Sequence, residues 1–332
     1  MVVLGIDVAK AKLDAALWLP DAGRWRMHQT RNDATGCAEL LRWVQRKAGV
    51  APDAVRVVME ATGVYHERAA QAFFAAGCTV LVANPKRVHD FARGLGSLNK
   101  NDRADAKALV RYGEQRNEHE APWQPLPPEI QALRALLKRL EAIDKDLQRE
   151  KNRWEKVEAS QAPEVVRASL QRGIASLQAE HKRLCAAIKD HHHQHPGLKI
   201  ERKLLQTVPG VGPVTADHLL CLLHGHAFAR GARQAAALSG LVPLEYTSGS
   251  SVHGRPRLSR QGGRRLRSTL YMASIVALKY NPSLRAIYDR LIASGKAKKA
   301  ALCALMRHLV HIAYGILKHQ APFNPALVSK TA

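Results

Sequence analysis

The sequence predicts a mixed α/β domain, then a long helical hairpin, then a mostly helical second domain. Three observations carry this expectation. Short apolar runs alternate with helical patterns over the first third of the chain. Two charged segments with leucines at seven-residue spacing follow a proline-rich break. The remainder is dominated by apolar residues at helical spacing. A chain of 332 residues is long enough for about two domains of roughly 150 residues each, both with real cores.

In order, Val2–Asp7 (VVLGID) reads as the most buried strand, closing on an acid. Leu13–Leu19 and Arg24–Thr30 read as two further strands around a turn at Pro20-Asp21-Ala22-Gly23. Thr35–Ala48 has helical spacing through Leu40, Leu41 and Val44, and Val55–Met59 is a second buried strand ending at Glu60. Thr62–Ala76 reads as helix, Thr79–Ala83 as strand, and Pro85 opens another helix. Ser97–Asp105 (SLNKNDRAD) is polar and leads into a helix reaching about Gly113.

Asp7 and Glu60 stand where apolar strands end, the edge at which open α/β sheets present ligands. Asp102 and Asp105 are three apart and share a helical face. Singly, each acid has an ordinary explanation: a strand-end turn for Asp7, a helix N-terminus for Glu60, a capping arrangement for Asp102 and Asp105. Together, the four suit two Mg²⁺ ions about 3.5–4 Å apart, which would clamp the attacking and leaving oxygens of a phosphodiester.

Residues 117–128, rich in proline, read as a linker after a first domain of residues 1–116. Residues 129–196 read as a coiled-coil arm and its exit. Leu133, Leu140, Leu147 and Trp154 keep one register, Leu170, Leu177 and Leu184 keep another, and Pro163 separates them. The run His191-His192-His193-Gln194-His195 reads as a solvated linker in preference to a metal-ligand cluster, because consecutive residues rarely converge on one ion.

Residues 197–323 form the second domain. Leu204–Leu223 (LLQTVPGVGPVTADHLLCLL) has a helix-hairpin-helix-like pattern, in which Gly210 and Gly212 would let backbone N–H groups approach a phosphate. The plainer alternative is an αα-hairpin packing its own core. Leu244–Ser259 (LEYTSGSSVHGRPRLS) is polar and glycine-punctuated, and reads as a loop. It carries the hydroxyls of Ser248, Ser250 and Ser251 close to Arg255, Arg257 and Arg260. Guanidiniums pair with phosphate oxygens in a fork, so this stretch suits a phosphate backbone, with Ser248 the candidate nucleophile. An ordinary surface turn is the alternative. Arg264, Arg265 and Arg267 ring the start of the next helix, where cations oppose the dipole and suggest a shared anion, surface charge being the alternative. Ser283–Ala293 and Lys296–Lys318 complete a helical region in which His308 and His311 read as ordinary helix residues. Residues 324–332 are a tail expected to fray.

The formal charge of +23 calls for a polyanion partner, nucleic acid before an anionic membrane. No apolar run reaches the ~20 residues of a membrane span. The N-terminus enters a strand pattern with no signal-peptide organisation. Cys37, Cys78, Cys185, Cys221 and Cys303 are scattered and form no close pair. They read as buried thiols in a reducing, cytoplasmic setting.

Several stretches resemble the IS110 family of insertion-sequence transposases. GIDVAK with Asp7, MEATGVYH with Glu60, and NKNDRADAKAL with Asp102 and Asp105 look like that family's DEDD tetrad. LLQTVPGVGPVTA, ALSGLVPLEYTSGSSVHG and YMASIVALKYNP resemble its C-terminal transposase domain. The resemblance runs from Val2 to Phe323 in the family's order. It implies a RuvC-like, ribonuclease H-type N-terminal domain holding Mg²⁺, and a serine nucleophile at Ser248. It further implies strand exchange through a covalent serine–DNA link, guidance by a structured bridge RNA pairing with donor and target DNA, and a tetramer in which different subunits supply acids and serine. The rival readings are a RuvC-like nuclease or junction resolvase using water, and a non-enzymatic nucleic-acid binder. An actin-like ATPase is a third, disfavoured because no glycine-rich phosphate loop follows the first strands.

Overall fold

The computed structural model describes residues 1–61, 63–96, 101–115, 122–160, 162–227, 231–248, 252–259 and 262–328. For residues 245–248, 252, 253, 255 and 256 the description covers the backbone alone. The chain divides into two compact units, Met1–Pro125 and Leu126–Ala332. The helical arm therefore groups with the C-terminal residues instead of standing as a separate body.

The first unit is a five-stranded sheet with helices on both faces. Strands β1 (Val2–Val8), β2 (Lys12–Leu19) and β3 (Arg24–Arg31) form an antiparallel meander. Helix α1 (Ala34–Ala48) starts where the Asp33 carboxylate accepts from the Gly36 N–H at 2.7 Å and stops at Gly49 with φ 66°. Strand β4 (Val55–Glu60), helix α2 (Tyr65–Ala75), strand β5 (Thr79–Ala83), helix α3 (Pro85–Gly94) and helix α4 (Asp102–Gln115) follow. β4 and β5 run parallel to β1, giving the order β3-β2-β1-β4-β5. Period-two alternation splits the strand residues between two cores. Leu4, Ile6, Leu13, Leu17, Val57 and Met59 pack with α1 and α2, whereas Val3, Ala16, Val58 and Leu81 pack with α3 and α4.

Helix α4 crosses β1 in backbone contact. A Cβ on Gly5 would stand 2.3 Å from the Ala106 carbonyl oxygen and 2.8 Å from the Val110 nitrogen. Only glycine admits that approach. In the stretch expected to be a linker, residues 116–121 lie outside the described set. Trp123 is tied down: its N–H donates to the Val80 carbonyl at 2.7 Å, and its ring meets Phe74 edge-on at 5.9 Å.

The second unit opens with α5 (Pro128–Ala159) and α6 (Glu164–Gln194), packed as a helical hairpin. Leu133, Leu137 and Leu140 meet Ile188 and Leu184 at its base. Toward the turn the seam positions Leu147, Trp154, Leu170 and Leu177 are only half-buried. Two helices alone bury one stripe each, so packing weakens away from the base. The remaining helices are α7 (Pro196–Gln206), α8 (Pro213–Leu222), α9 (Ala232–Leu238), α10 (Arg264–Tyr280), α11 (Pro282–Ala293), α12 (Lys298–His319) and α13 (Pro325–Val328). Strands β6 (Pro243–Ser248) and β7 (Val252–Leu258) pair between α9 and α10.

Four expectations change here. Residues 243–258 form an antiparallel hairpin, not a loop; Leu244, Tyr246, Thr247 and Val252 are strand formers hidden among serines and glycines. The histidine run is no solvated linker. His191–Gln194 complete α6, and His191 and His192 are buried. The tail holds a short helix at Pro325–Val328 before the undescribed residues 329–332. Finally, α12 is long and apolar enough to cross a membrane by length and composition, although no such run was expected. Nine of its residues, from Ala301 to Leu317, are buried, and seven of them, from Leu305 onward, pack into the core of this unit.

Candidate active site

The strand pleat gathers acids on one face. In β1, Leu4, Ile6 and Val8 point to α1 and α2, so Asp7 shares the opposite, α4 side with Val3. In β4, Val58 faces α4, and Glu60 follows it by two. The parallel register pairs Ile6 with Met59, so Asp7 and Glu60 are the next step along the two neighbouring strands. Asp102 and Asp105 occupy the first turn of α4. Gly5 lets that helix press onto β1 two residues before Asp7. All four predicted acids thus belong to one side of the first unit.

Electrostatics confirm the crowding. The Asp7 carboxyl is pushed above its usual range, first by burial, then by the charges of Asp102, Asp105 and Asp14, with Lys12 opposing. Asp14 and Lys12 are functional candidates the sequence reading passed over. Asp14 is the direct cross-strand partner of Asp7 and is buried. Its Oδ1 accepts from Gln29 Nε2 at 2.5 Å, and Lys12 Nζ lies 2.9 Å from its Oδ2. The same ammonium donates to Asp102 Oδ2 at 2.6 Å, which holds Asp102 below the ordinary carboxylate range. The overlooked signal was an acid inside the apolar strand LDAALWL, where only a partnered carboxylate is tolerated.

A divalent cation suits this face in charge. Burial first, and the neighbouring carboxylates after it, make Asp7 resist ionisation, and an ammonium already bridges Asp14 and Asp102. The oxygen-only donor set matches a hard ion. In the arrangement seen, no three His, Cys, Asp or Glu side chains among the described residues close around one ion position.

In the second unit, Ser248 is the last residue of β6 and pairs with Val252 across the hairpin end. The register shifts between Leu244 and Tyr246, so a bulge bends the hairpin opposite the segment containing Arg255. Arg257 is exposed on β7 and Arg264 is exposed at the start of α10. Ser250, Ser251 and Arg260 lie outside the described residues, as do the side chains of Ser248 and Arg255.

Two of the arginines expected to share an anion at the start of α10 make internal bonds. Arg265 Nη2 donates to Asp144 Oδ2 at 2.8 Å, joining α10 to α5. Arg267 donates to the carbonyls of Gly262 and Ser239. A carboxylate and carbonyls thus offset these cations at a helix start. Gly210 (φ 103°) turns its Cα onto α10, where a Cβ would stand 2.7 Å from the Ala273 carbonyl. That contact serves close packing. Gly212 has open space around it at the N-cap of α8.

The buried histidines form a polar knot. His192 Nε2 lies 2.8 Å from Asp217 Oδ1, and Arg202 Nη2 donates to Asp217 Oδ2 at 2.9 Å. His191 Nε2 bonds the Glu129 carbonyl at 2.8 Å. The knot ties the base of the helical arm to α7 and α8, and explains why a histidine run can be interior.

A transposase family profile of the DEDD IS110 type matches residues 4–157, and one described as "Transposase IS116/IS110/IS902 family" matches residues 202–289. A protein named "Pilin gene-inverting protein" from Moraxella lacunata is 30% identical over 322 residues, spanning 97% of each chain. The "Transposase for insertion sequence element IS1328" of Yersinia enterocolitica is 26% identical, covering 75% of this chain and 79% of its own length. The "Insertion element IS110 uncharacterized 43.6 kDa protein" of Streptomyces coelicolor is 28% identical over 155 residues, covering 47% of this chain and 37% of that protein.

Proposed function

The chain belongs to the IS110 family of transposases, and from that membership we propose that it exchanges DNA strands through a serine–DNA intermediate, with Mg²⁺ held by its acidic face and a structured bridge RNA choosing the sites. The chain is a DNA recombinase or transposase enzyme. The single observation that carries the finer reading is the gathering of Asp7, Glu60, Asp102 and Asp105 on one side of the sheet. The meander followed by two parallel strands supports reading this unit as RuvC-like, with its acids on the two central neighbours β1 and β4 and on the helix crossing them.

In this reading the carboxylates of Asp7, Glu60, Asp102 and Asp105 hold Mg²⁺, which when bound lowers the barrier by neutralising charge on the phosphodiester. Ser248 supplies the nucleophile from the end of the hairpin. Its oxygen bonds to phosphorus while the bond from phosphorus to one bridging oxygen breaks. The freed strand leaves as a hydroxyl, and the proton given up by serine balances the one it gains. A hydroxyl of the other DNA strand then attacks the phosphoserine, and Ser248 recovers its proton. The link preserves the phosphodiester, so rejoining needs no energy-rich cofactor. Arg255 and Arg257 neutralise non-bridging oxygens. The acids sit in one unit and the serine in the other, which suits a site assembled in an oligomer, with different subunits supplying the two halves. The charge of +23 suits simultaneous contact with DNA and RNA backbones, while base pairing supplies specificity. The full-length pilin-inverting relative favours a second outcome of the same chemistry, inversion of a DNA segment.

The test is to incubate purified protein with the element's ends, its flanking RNA and Mg²⁺, and to look for joined DNA and protein-bound ends. Ser248→Ala should lose covalent adducts and keep nucleic-acid binding. Adducts that persist transfer the role to Ser250 or Ser251. Asp105→Asn should lose Mg²⁺-dependent joining. Free cut ends without joining or adducts would point to a water-using nuclease.

A further inference from the structure

The acidic face carries its own cation. Lys12 opens β2 two residues before Asp14, so both side chains leave the sheet on the α4 side. Its ammonium stands 2.9 Å from Asp14 and 2.6 Å from Asp102, bridging a carboxylate on the sheet to one at the start of α4. The Lys12 side chain is 42% exposed, so a path to solvent is open to it. Asp14 has a second anchor in Gln29, which lies opposite it on β3. Asp102, by contrast, is exposed and begins a helix.

We propose that Lys12 is a built-in counter-cation, which holds Asp102 in the ion-free chain and must release it before Mg²⁺ can enter. This rests on reading Asp102 as a Mg²⁺ ligand. An ammonium is a point charge with three donors on a flexible stem and imposes no coordination geometry. Mg²⁺ demands an octahedron of oxygens at about 2.0–2.1 Å. Both cannot use the same Asp102 oxygen. On entry of the ion, Lys12 keeps Asp14 as its partner and gives up Asp102. Asp14 is then where the displaced ammonium is held, not a fifth ligand. The exchange keeps the face from carrying its full negative charge when no ion is present. It also sets the affinity for Mg²⁺ below what the carboxylates alone would give. Lys12 is a positioning residue, acting through Asp102.

The experiment is Mn²⁺ and Mg²⁺ binding to the full chain by calorimetry, without nucleic acid, in wild type, Lys12→Met and Lys10→Met. Lys10→Met removes the same charge from the neighbouring β1–β2 turn. Lys12→Met should bind Mn²⁺ about tenfold more tightly than wild type, as expected when two partly exposed ion pairs no longer compete. It should also melt earlier in EDTA and gain more from Mg²⁺ than wild type does. Binding by Lys12→Met alone would support the proposal as well. Equal affinity in wild type and Lys12→Met overturns it while leaving the metal reading intact, as does an equal gain in Lys10→Met. No binding by any variant overturns both. Should Lys12→Met not fold, Lys12→Gln, which keeps donors without charge, carries the same expectations.

Discussion

Replacing Gly5 by alanine is the sharpest probe of how the acidic face is built. The added methyl would meet the Ala106 carbonyl oxygen at 2.3 Å, the Val110 nitrogen at 2.8 Å and Val110 Cγ2 at 2.9 Å. Ordinary contact needs roughly another ångström, and two of the three obstacles are backbone, so α4 itself must move. Overpacking of this kind costs about 1–3 kcal/mol, and the upper end applies because the two nearest obstacles are backbone atoms that cannot rotate away. The shift carries Asp102 and Asp105 with it, since both stand in the first turn of α4. A displacement near 1 Å can cost about 100-fold in rate. Gly94→Ala, with nothing within 4 Å of the new atom, is the control. Denaturant melts of the full chain and a strand-joining assay give the two readings. A Gly5→Ala protein within about 0.5 kcal/mol of wild type, with unchanged joining, would refute the close approach of α4 to β1.

Other consequences can be checked in the same way. Asp217→Ala leaves Arg202 and His192 without their buried carboxylate and should cost about 3–5 kcal/mol. Asp289→Ala, which breaks an exposed pair with Arg285, should cost less than about 1 kcal/mol; equal urea midpoints would contradict the knot. Burial pushes the thiols of Cys37 and Cys78 up to about 11 and that of Cys221 to about 12. A thiol reagent at neutral pH should therefore label exposed Cys185 first, and these three only after denaturation. Burial, helped by Arg307, pushes the His311 imidazole down from 6.5 to about 4. The unfolded chain thus takes up a proton below pH 6.5 that the folded chain accepts only near 4. Stability should fall as pH drops through that window and stay flat above it. His308→Gln/His311→Gln should flatten the slope in melts between pH 4 and 7, because His308 is shifted in the same direction.

The sheet and its acids were legible because alternation is local. Val2–Val8 and Val55–Glu60 read as buried strands ending in or near an acid, and the parallel register of β1 and β4 then puts Asp7 and Glu60 on one side. Asp14 escaped because a single acid in an apolar strand gains meaning only once Lys12, Gln29 and Asp102 surround it, and Asp102 is 90 residues away from Lys12. The histidine run misled for the same reason: the partner of His192 lies 25 residues on, at Asp217. Arg265 looked like an anion ligand because Asp144 is 121 residues distant in sequence. The hairpin was obscured by composition, since serine and glycine advertise a turn more loudly than Leu244, Tyr246 and Val252 advertise strands.

The tapering seam of the helical arm has a mechanical corollary. At 1.5 Å per residue, the 32 residues of α5 extend about 48 Å. Near α7 and α8 the arm is clamped by leucines and the histidine knot. Farther out its apolar seam is only half-buried, and ion pairs run along one helix, such as Arg149–Asp146 and Arg153–Glu150. Amide exchange should therefore quicken steadily from the clamped end outward, and added salt should loosen the distal turns first. A lever with a stiff root and a yielding end transmits rotation from its base while letting its tip conform to whatever it meets.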